Sequence, residues 1–189
     1  MPCGARYPWV PEPLIAAVQT SSECLNSGVI DIAPADFADP ALRSFLQAHL
    51  DDLAPTAPPE SQHALDFDAL QKPTVRLWVA ADGDSIVGTV ALAELADGHA
   101  ELKSMRTSPE LRGQGLGAKL LQHALADARS RGIGRVSLET GSQDFFAAAH
   151  ALYRKAGFVE CGPFGSYAED PNSTFMTLVV PIEEGAHAQ

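Results

Sequence analysis

The chain has 189 residues, 46% of them apolar and 20% charged, with a formal net charge of −11. That length suits one domain with a full core, the composition is that of a globular protein, and no run of about 18 apolar residues offers a membrane span. The acidic balance disfavours a nucleic-acid partner, and three cysteines without metal-ligand spacing (Cys3, Cys24, Cys161) suit a reduced, cytoplasmic setting rather than a disulfide scaffold.

Residues 1–27 are rich in proline and small polar residues, and the apolar run at 14–18 is too short for a secretory core. They are expected to form a loosely ordered extension, with 28–181 as the domain and 182–189 as a tail. The run 28–33, with Val29, Ile30 and Ile32, predicts a first strand. Asp36 or Asp39 then caps a helix with Pro40 in its first turn. Phe37, Leu42, Phe45, Leu46, Leu50 and Leu53 supply its apolar stripe, and Pro55, Pro58 and Pro59 prevent its continuation. The polar stretch 58–66, which includes Ser61 and His63, reads as a surface loop or as part of an acceptor-binding wall. Residues 75–81 and 86–95 are β-rich runs around Asp82-Gly83-Asp84, a hairpin signal. A turn at Asp97-Gly98 leads into a strand at 101–107, which Ser108-Pro109 ends.

Next comes Arg112-Gly113-Gln114-Gly115-Leu116-Gly117-Ala118, which feeds a helix stopped by Gly132. Leu116, Leu120, Leu121, Ala124, Leu125 and Ala128 form that helix's apolar face. Glycines at every second position leave main-chain amides unshielded and free to take positive φ. The helix start aims its own unpaired amides and positive dipole at the same spot. Such a corner binds a diphosphate, with Arg112 adding charge. A P-loop would need Gly-Lys-Ser/Thr, whereas Gly117 is followed by Ala118 and Lys119. Glycines at 113, 115 and 117 also miss the G-x-G-x-x-G dinucleotide fingerprint. Charge is distributed to match: residues 31–72 hold eight acids against two bases, and residues 101–160 hold nine bases against six acids.

Residues 136–140 predict a further strand, 145–157 a shorter helix closing at Gly157, and 158–161 and 175–180 two last strands. The order predicts an α/β fold: a mixed, mostly antiparallel central sheet flanked by helices on both faces. Within it, Arg112-x-x-Gly115-x-Gly117 resembles the acetyl-CoA loop of the GNAT N-acetyltransferase superfamily. Ala149-x-x-Leu152-Tyr153-x-x-x-Gly157-Phe158 resembles that superfamily's second signature, and Glu101-Leu102-Lys103-Ser104-Met105 is similar to the fourth strand of its bacterial small-molecule acetyltransferases. Phe146 stands where the second signature commonly carries Asn, so an Asn contact to the cofactor is not carried over.

The resemblance implies the acyl-CoA N-acyltransferase fold and acetyl-CoA as co-substrate. It places the cofactor along the backbone of Met105, Arg106 and Thr107 and at Arg112, Gly113, Gln114, Gly115, Leu116, Gly117 and Ala118. It further implies direct acetyl transfer to a primary amine of a small molecule, an amino acid or amine metabolite, in a ternary complex. Tyr153 is the implied acid, and Glu101 or Glu139 the base, acting directly or through water. The Met105 amide would steady the developing oxyanion. Ser61, His63, Phe145 and Phe146 are the expected acceptor contacts. The alternatives are acetylation of a protein N-terminus or lysine, and non-catalytic acyl-CoA binding. Six histidines without paired ligand spacing predict no metal site. Neither nucleic acid nor membrane is an expected partner, and the chain is expected to be a monomer or homodimer.

Overall fold

The computed structural model describes residues 30–96 and 98–181. The expected extension 1–27, the tail 182–189, the start of the first predicted strand and Asp97 lie outside the described residues. In chain order the elements are β1 (Asp31–Pro34), α1 (Pro40–Leu53), α2 (Phe67–Leu70), β2 (Val75–Asp82), β3 (Ser85–Glu94), β4 (His99–Thr107), α3 (Leu116–Ser130), β5 (Arg135–Gly141), α4 (Ala147–Lys155), β6 (Val159–Glu160) and β7 (Ser173–Val179). Short 3₁₀ turns precede α2, α3 and α4.

The strands form one seven-stranded sheet in the order β1-β2-β3-β4-β5-β7-β6. Every neighbouring pair is antiparallel except β4 and β5. A parallel pair requires a crossover, and α3 supplies it. Alternation along β2 and β3 sorts the core between two faces. Trp78, Ala80, Val90 and Leu92 pack with Leu116, Leu120, Leu121 and Ala124 of α3. Leu77 and Ala91 pack on the other side with Leu42 and Leu46 of α1. Each fully buried leucine contributes roughly 1.5–3 kcal/mol by removing apolar surface from water. The mixed sheet with helices on both faces is therefore the architecture the periodicities predicted.

Local chemistry settles the open choices. Asp39 caps α1, its side chain accepting from the Ala41 amide with Pro40 in the first turn. Asp36 instead accepts from the Ala38 amide at 2.9 Å and closes the preceding turn. The predicted helix over 145–157 divides into a 3₁₀ turn at Asp144–Phe146 and α4 proper. Toward β5 and β7, the α1 side of the sheet is covered by the loop 161–172. Its Phe164 and Tyr167 rings rest on Phe175, with centroids 6.0 Å and 5.5 Å away. The open space between that aromatic loop and α1 holds the site.

Candidate active site

β4 and β5 pair at His99–Arg135, Ala100–Val136 and Glu101–Ser137, and no further. Past that point β4 runs on to Thr107 and β5 to Gly141 without pairing to each other, which opens a wedge in the sheet. A bulge at Ser104 helps to bend β4 away: Ser104 has φ +48°, the register against β3 slips between Thr89 and Ala91, and the Thr89 hydroxyl donates to the Ser104 carbonyl at 2.8 Å. The wedge widens into a cleft of about 380 Å³, within the range of small-ligand sites. Its walls come from the end of α1 (His49, Leu50, Leu53), the segment around Ser61 and His63, Lys103 to Met105, Glu139 to Gly141, Phe146, Ala149, Tyr153 and Asn172.

At the other end of the wedge lies the glycine corner. Gly113 and Gly115 have φ of +77° and +84°, which a side chain would strain. Within the first turn of α3, the first amide with a carbonyl partner is that of Lys119, bonded to Gly115. The amides of Leu116, Gly117 and Ala118 precede it and are left pointing out of the helix end. A side chain at Gly117 would lie 3.3 Å from Leu152, 3.7 Å from Met105 and 3.9 Å from Thr107. That crowding ties the corner to Met105, which also lines the cleft. Arg112 is exposed at the head of the loop. Free amides, bare glycines and a dipole end fit the diphosphate of a coenzyme A, and the unpaired edge of β4 from Met105 to Thr107 fits its extended arm. The Arg106 side chain turns away from that edge to the α1 side. It pairs with Asp52 at 3.0 Å and donates to the Phe45 carbonyl at 3.0 Å.

The two proposed strand glutamates share a face, since Glu101 pairs with Ser137 and Glu139 lies two residues on. Their surroundings differ. Glu101 is outside the cleft wall: its Oε1 accepts from the Tyr167 hydroxyl at 2.6 Å and lies 3.0 Å from Lys103 Nζ. Lys103 Nζ also donates to Tyr167 Oη at 2.6 Å and to the His63 carbonyl at 2.8 Å. Glu139 lines the cleft and accepts from Ser173 Oγ at 2.7 Å. Burial raises its carboxyl above the ordinary value, against the lowering effects of the Ser173 hydrogen bond and of His63 and Lys103.

Tyr153 is buried on the cleft wall, its ring tilted against Phe158 at 5.8 Å. Burial pushes its phenol above the ordinary value, so it remains a proton donor at neutral pH. The chain reversal after α4 helps to fix it, because the Tyr153 carbonyl takes the return bond from the Phe158 amide across Gly157 at φ +98°. His49 is held neutral, its imidazole lowered to about 4 by burial and by the charge of Arg106. Ser61 and His63 line the cleft as well. Phe145 stands outside it: the 3₁₀ turn leaves this ring 54% exposed and sends Phe146 inward over Gly141.

The sequence reading passed over His49, Lys103, Tyr167, Asn172 and Ser173. His49 could have been found, because it lies three residues after Leu46 on the buried side of α1. Tyr167 and Asn172 sit in aperiodic loop, where spacing carries no signal.

This fold, with a splayed strand pair between a free-amide corner and a polar cleft, defines an acyltransferase that draws on an acyl-CoA donor. The chain belongs to the GNAT acetyltransferase family, whose sequence profile matches residues 42–158. It is 43% identical over 145 residues to the N-acetyltransferase YedL of Escherichia coli, covering 77% of this chain and 91% of that one. It is 42% identical over 132 residues to an IAA acetyltransferase of Azospirillum brasilense, covering 69% and 83% respectively. The PaiA N-acetyltransferase of Thermoplasma acidophilum, solved in complex with coenzyme A, shares the fold at a TM-score of 0.61 and 17% identity over 79% of this chain and 98% of that one. Among the described residues no helix is long and apolar enough to cross a membrane, and no cluster of His, Cys, Asp and Glu is placed to hold a metal ion.

Proposed function

We infer that the protein transfers acetyl from acetyl-CoA directly to the primary amine of a small molecule. The observation that carries this reading is the position of Glu139 and Tyr153 on the walls of one cleft, entered from the glycine corner through the gap between β4 and β5. Acetyl-CoA supplies an activated thioester, held by the amides of Gly113 to Ala118 and by the free edge of β4. Glu139 accepts a proton from the acceptor's ammonium, directly or through water, which exposes the nitrogen lone pair. The Met105 amide donates to the carbonyl oxygen as negative charge grows there. Tyr153 Oη donates its proton to the departing sulfur as the C–S bond breaks, and the second proton shed by the nitrogen restores the phenol through water, so that an amide and a thiol result with no covalent link to the enzyme. Glu101 is a positioning residue in this scheme, because its carboxylate is bound to Tyr167 and Lys103.

A small acceptor is supported by the cleft volume and by the relative named IAA acetyltransferase. Ser61, His63 and Phe146 are its contacts from the protein side. The setting is cytoplasmic, where acetyl-CoA is available, and a monomer or homodimer needs no further chain to complete the cleft. Thiol release from acetyl-CoA against amines, amino acids and peptides tests the reading. Release with small amines, and initial-rate lines that intersect when both substrates are varied, are expected. Parallel lines, or release with peptides alone, would overturn it.

A further inference from the structure

The charged groups around the cleft are paired unequally. Lys103 is the one cation on its wall among the described residues, and it is 8% exposed. Its ammonium donates to Tyr167 Oη and to the His63 carbonyl, and its charge is paired with Glu101 at 3.0 Å. Arg106 is bound to Asp52 and Phe45 and is absent from the wall. His49 is neutral. Against these stand Glu139 on the wall and Asp170 beside it, the latter held below the ordinary carboxyl range by hydrogen bonds from Ser61 and the Asn172 amide. The rest of the wall mixes apolar side chains (Leu50, Leu53, Phe146) with uncharged polar ones (Ser61, Gln62, Asn172).

An acceptor bearing a carboxylate or phosphate would therefore bring a second negative charge beside Glu139 with no free cation to meet it. Burying a charge without a partner is costly, and like charges in a partly desolvated site repel strongly. A cationic amine on an uncharged body meets one carboxylate and a wall whose one cation is already paired. From the Glu139–Lys103–Glu101 arrangement we propose that this cleft selects amines whose remaining body carries no negative charge, and rejects free α-amino acids. The proposal rests on the reading that the acceptor occupies this cleft, and narrows its substrate class.

The test uses pairs in which one member carries a carboxylate and the other does not, each concentration corrected for the fraction of amine protonated at the working pH: phenylalaninamide against phenylalanine, tryptamine against tryptophan, and tyramine against tyrosine. Two quantities are measured at pH 8, where an ordinary imidazole is neutral. One is kcat/KM with acetyl-CoA, and the other is the dissociation constant for the full chain saturated with coenzyme A. The uncharged member should win by at least about tenfold in affinity and in kcat/KM, the size expected for one like-charge contact in such a site. A ratio below about fivefold, an inverted ratio, or failure of both members of every pair to bind would overturn the proposal. If the amines bind with that preference but none is acetylated, charge selection stands and the transfer reading fails. Glu101→Gln supplies the second arm. It strips Lys103 of its counter-charge, so phenylalanine should gain on phenylalaninamide by about tenfold or more. An unchanged ratio in a folded Glu101→Gln protein would refute the role given to Lys103. Should that variant fail to fold, the wild-type pairs decide alone.

Discussion

The sharpest perturbation is Glu139→Gln, read together with Ser173→Ala. Glutamine keeps the shape of the side chain, and its Oε1 can still accept from Ser173 Oγ, now 2.7 Å from the carboxylate. It also removes a charge whose burial is unfavourable, so folding should not suffer. What is lost is the capacity to take a proton, typically worth about 10²–10⁴ in rate, or roughly 3–5 kcal/mol. The pH dependence carries the discrimination. A base must be deprotonated to act, so kcat at saturating acceptor should rise with pH through the carboxyl's titration and then level off. Burial raises that titration above the ordinary carboxyl range in the wild type. The Ser173 hydrogen bond favours the charged form, and such bonds contribute about 1.5–3 kcal/mol. Ser173→Ala should therefore move the acid-side limb up by roughly 1–2 pH units, since one unit corresponds to about 1.4 kcal/mol, while leaving the plateau largely intact. Stopped or steady-state thiol release from pH 5 to 9 measures all three proteins. The reasoning is refuted if Glu139→Gln turns over within about threefold of wild type, or if the limb stays in place in Ser173→Ala.

Other consequences follow from the same geometry. Tyr153→Phe should lower kcat by about 10²–10⁴ with acetyl-CoA affinity by calorimetry little changed, because the ring packing against Phe158 is retained; full turnover would remove the phenol from the reaction. Gly115→Asp places a carboxylate and a strained φ of +84° in the free-amide corner, and Gly117→Asp fills the gap beside Leu152 and Met105. Both should abolish measurable coenzyme A binding while the fold, followed by circular dichroism, survives. His49 adds a stability signature. Its imidazole is lowered from 6.5 to about 4 in the folded chain, so the neutral form is favoured by folding and the contribution is complete above pH 6.5. As pH falls toward 4 that contribution, about 3 kcal/mol, should be lost. Denaturant titrations of His49→Gln should lack this part of the acid sensitivity, and an identical pH profile would contradict it.

Much of the architecture was legible because its signals are local. Leu42 and Leu46 lie one helical turn apart, Trp78 and Ala80 alternate with Leu77, and Asp82-Gly83-Asp84 is a turn wherever it occurs. The glycine corner was legible for the same reason: bare amides at a helix start are a property of consecutive residues, and the path of the rest of the chain does not alter it. Sequence alone thus determined the order of the elements, the two-faced sheet and the free-amide glycine corner. Only the tertiary structure decided which strand glutamate lines the cleft. Glu101 and Glu139 are equivalent by spacing, but Tyr167, 66 residues beyond Glu101, closes over the first and leaves the second in the cleft. The same holds for Phe145 and Phe146, neighbours whose fates part at a single 3₁₀ turn. The physical reason is common to both cases. A charge or an aromatic ring is assigned its role by what packs against it, and here those partners arrive from distant loops whose course no local period encodes.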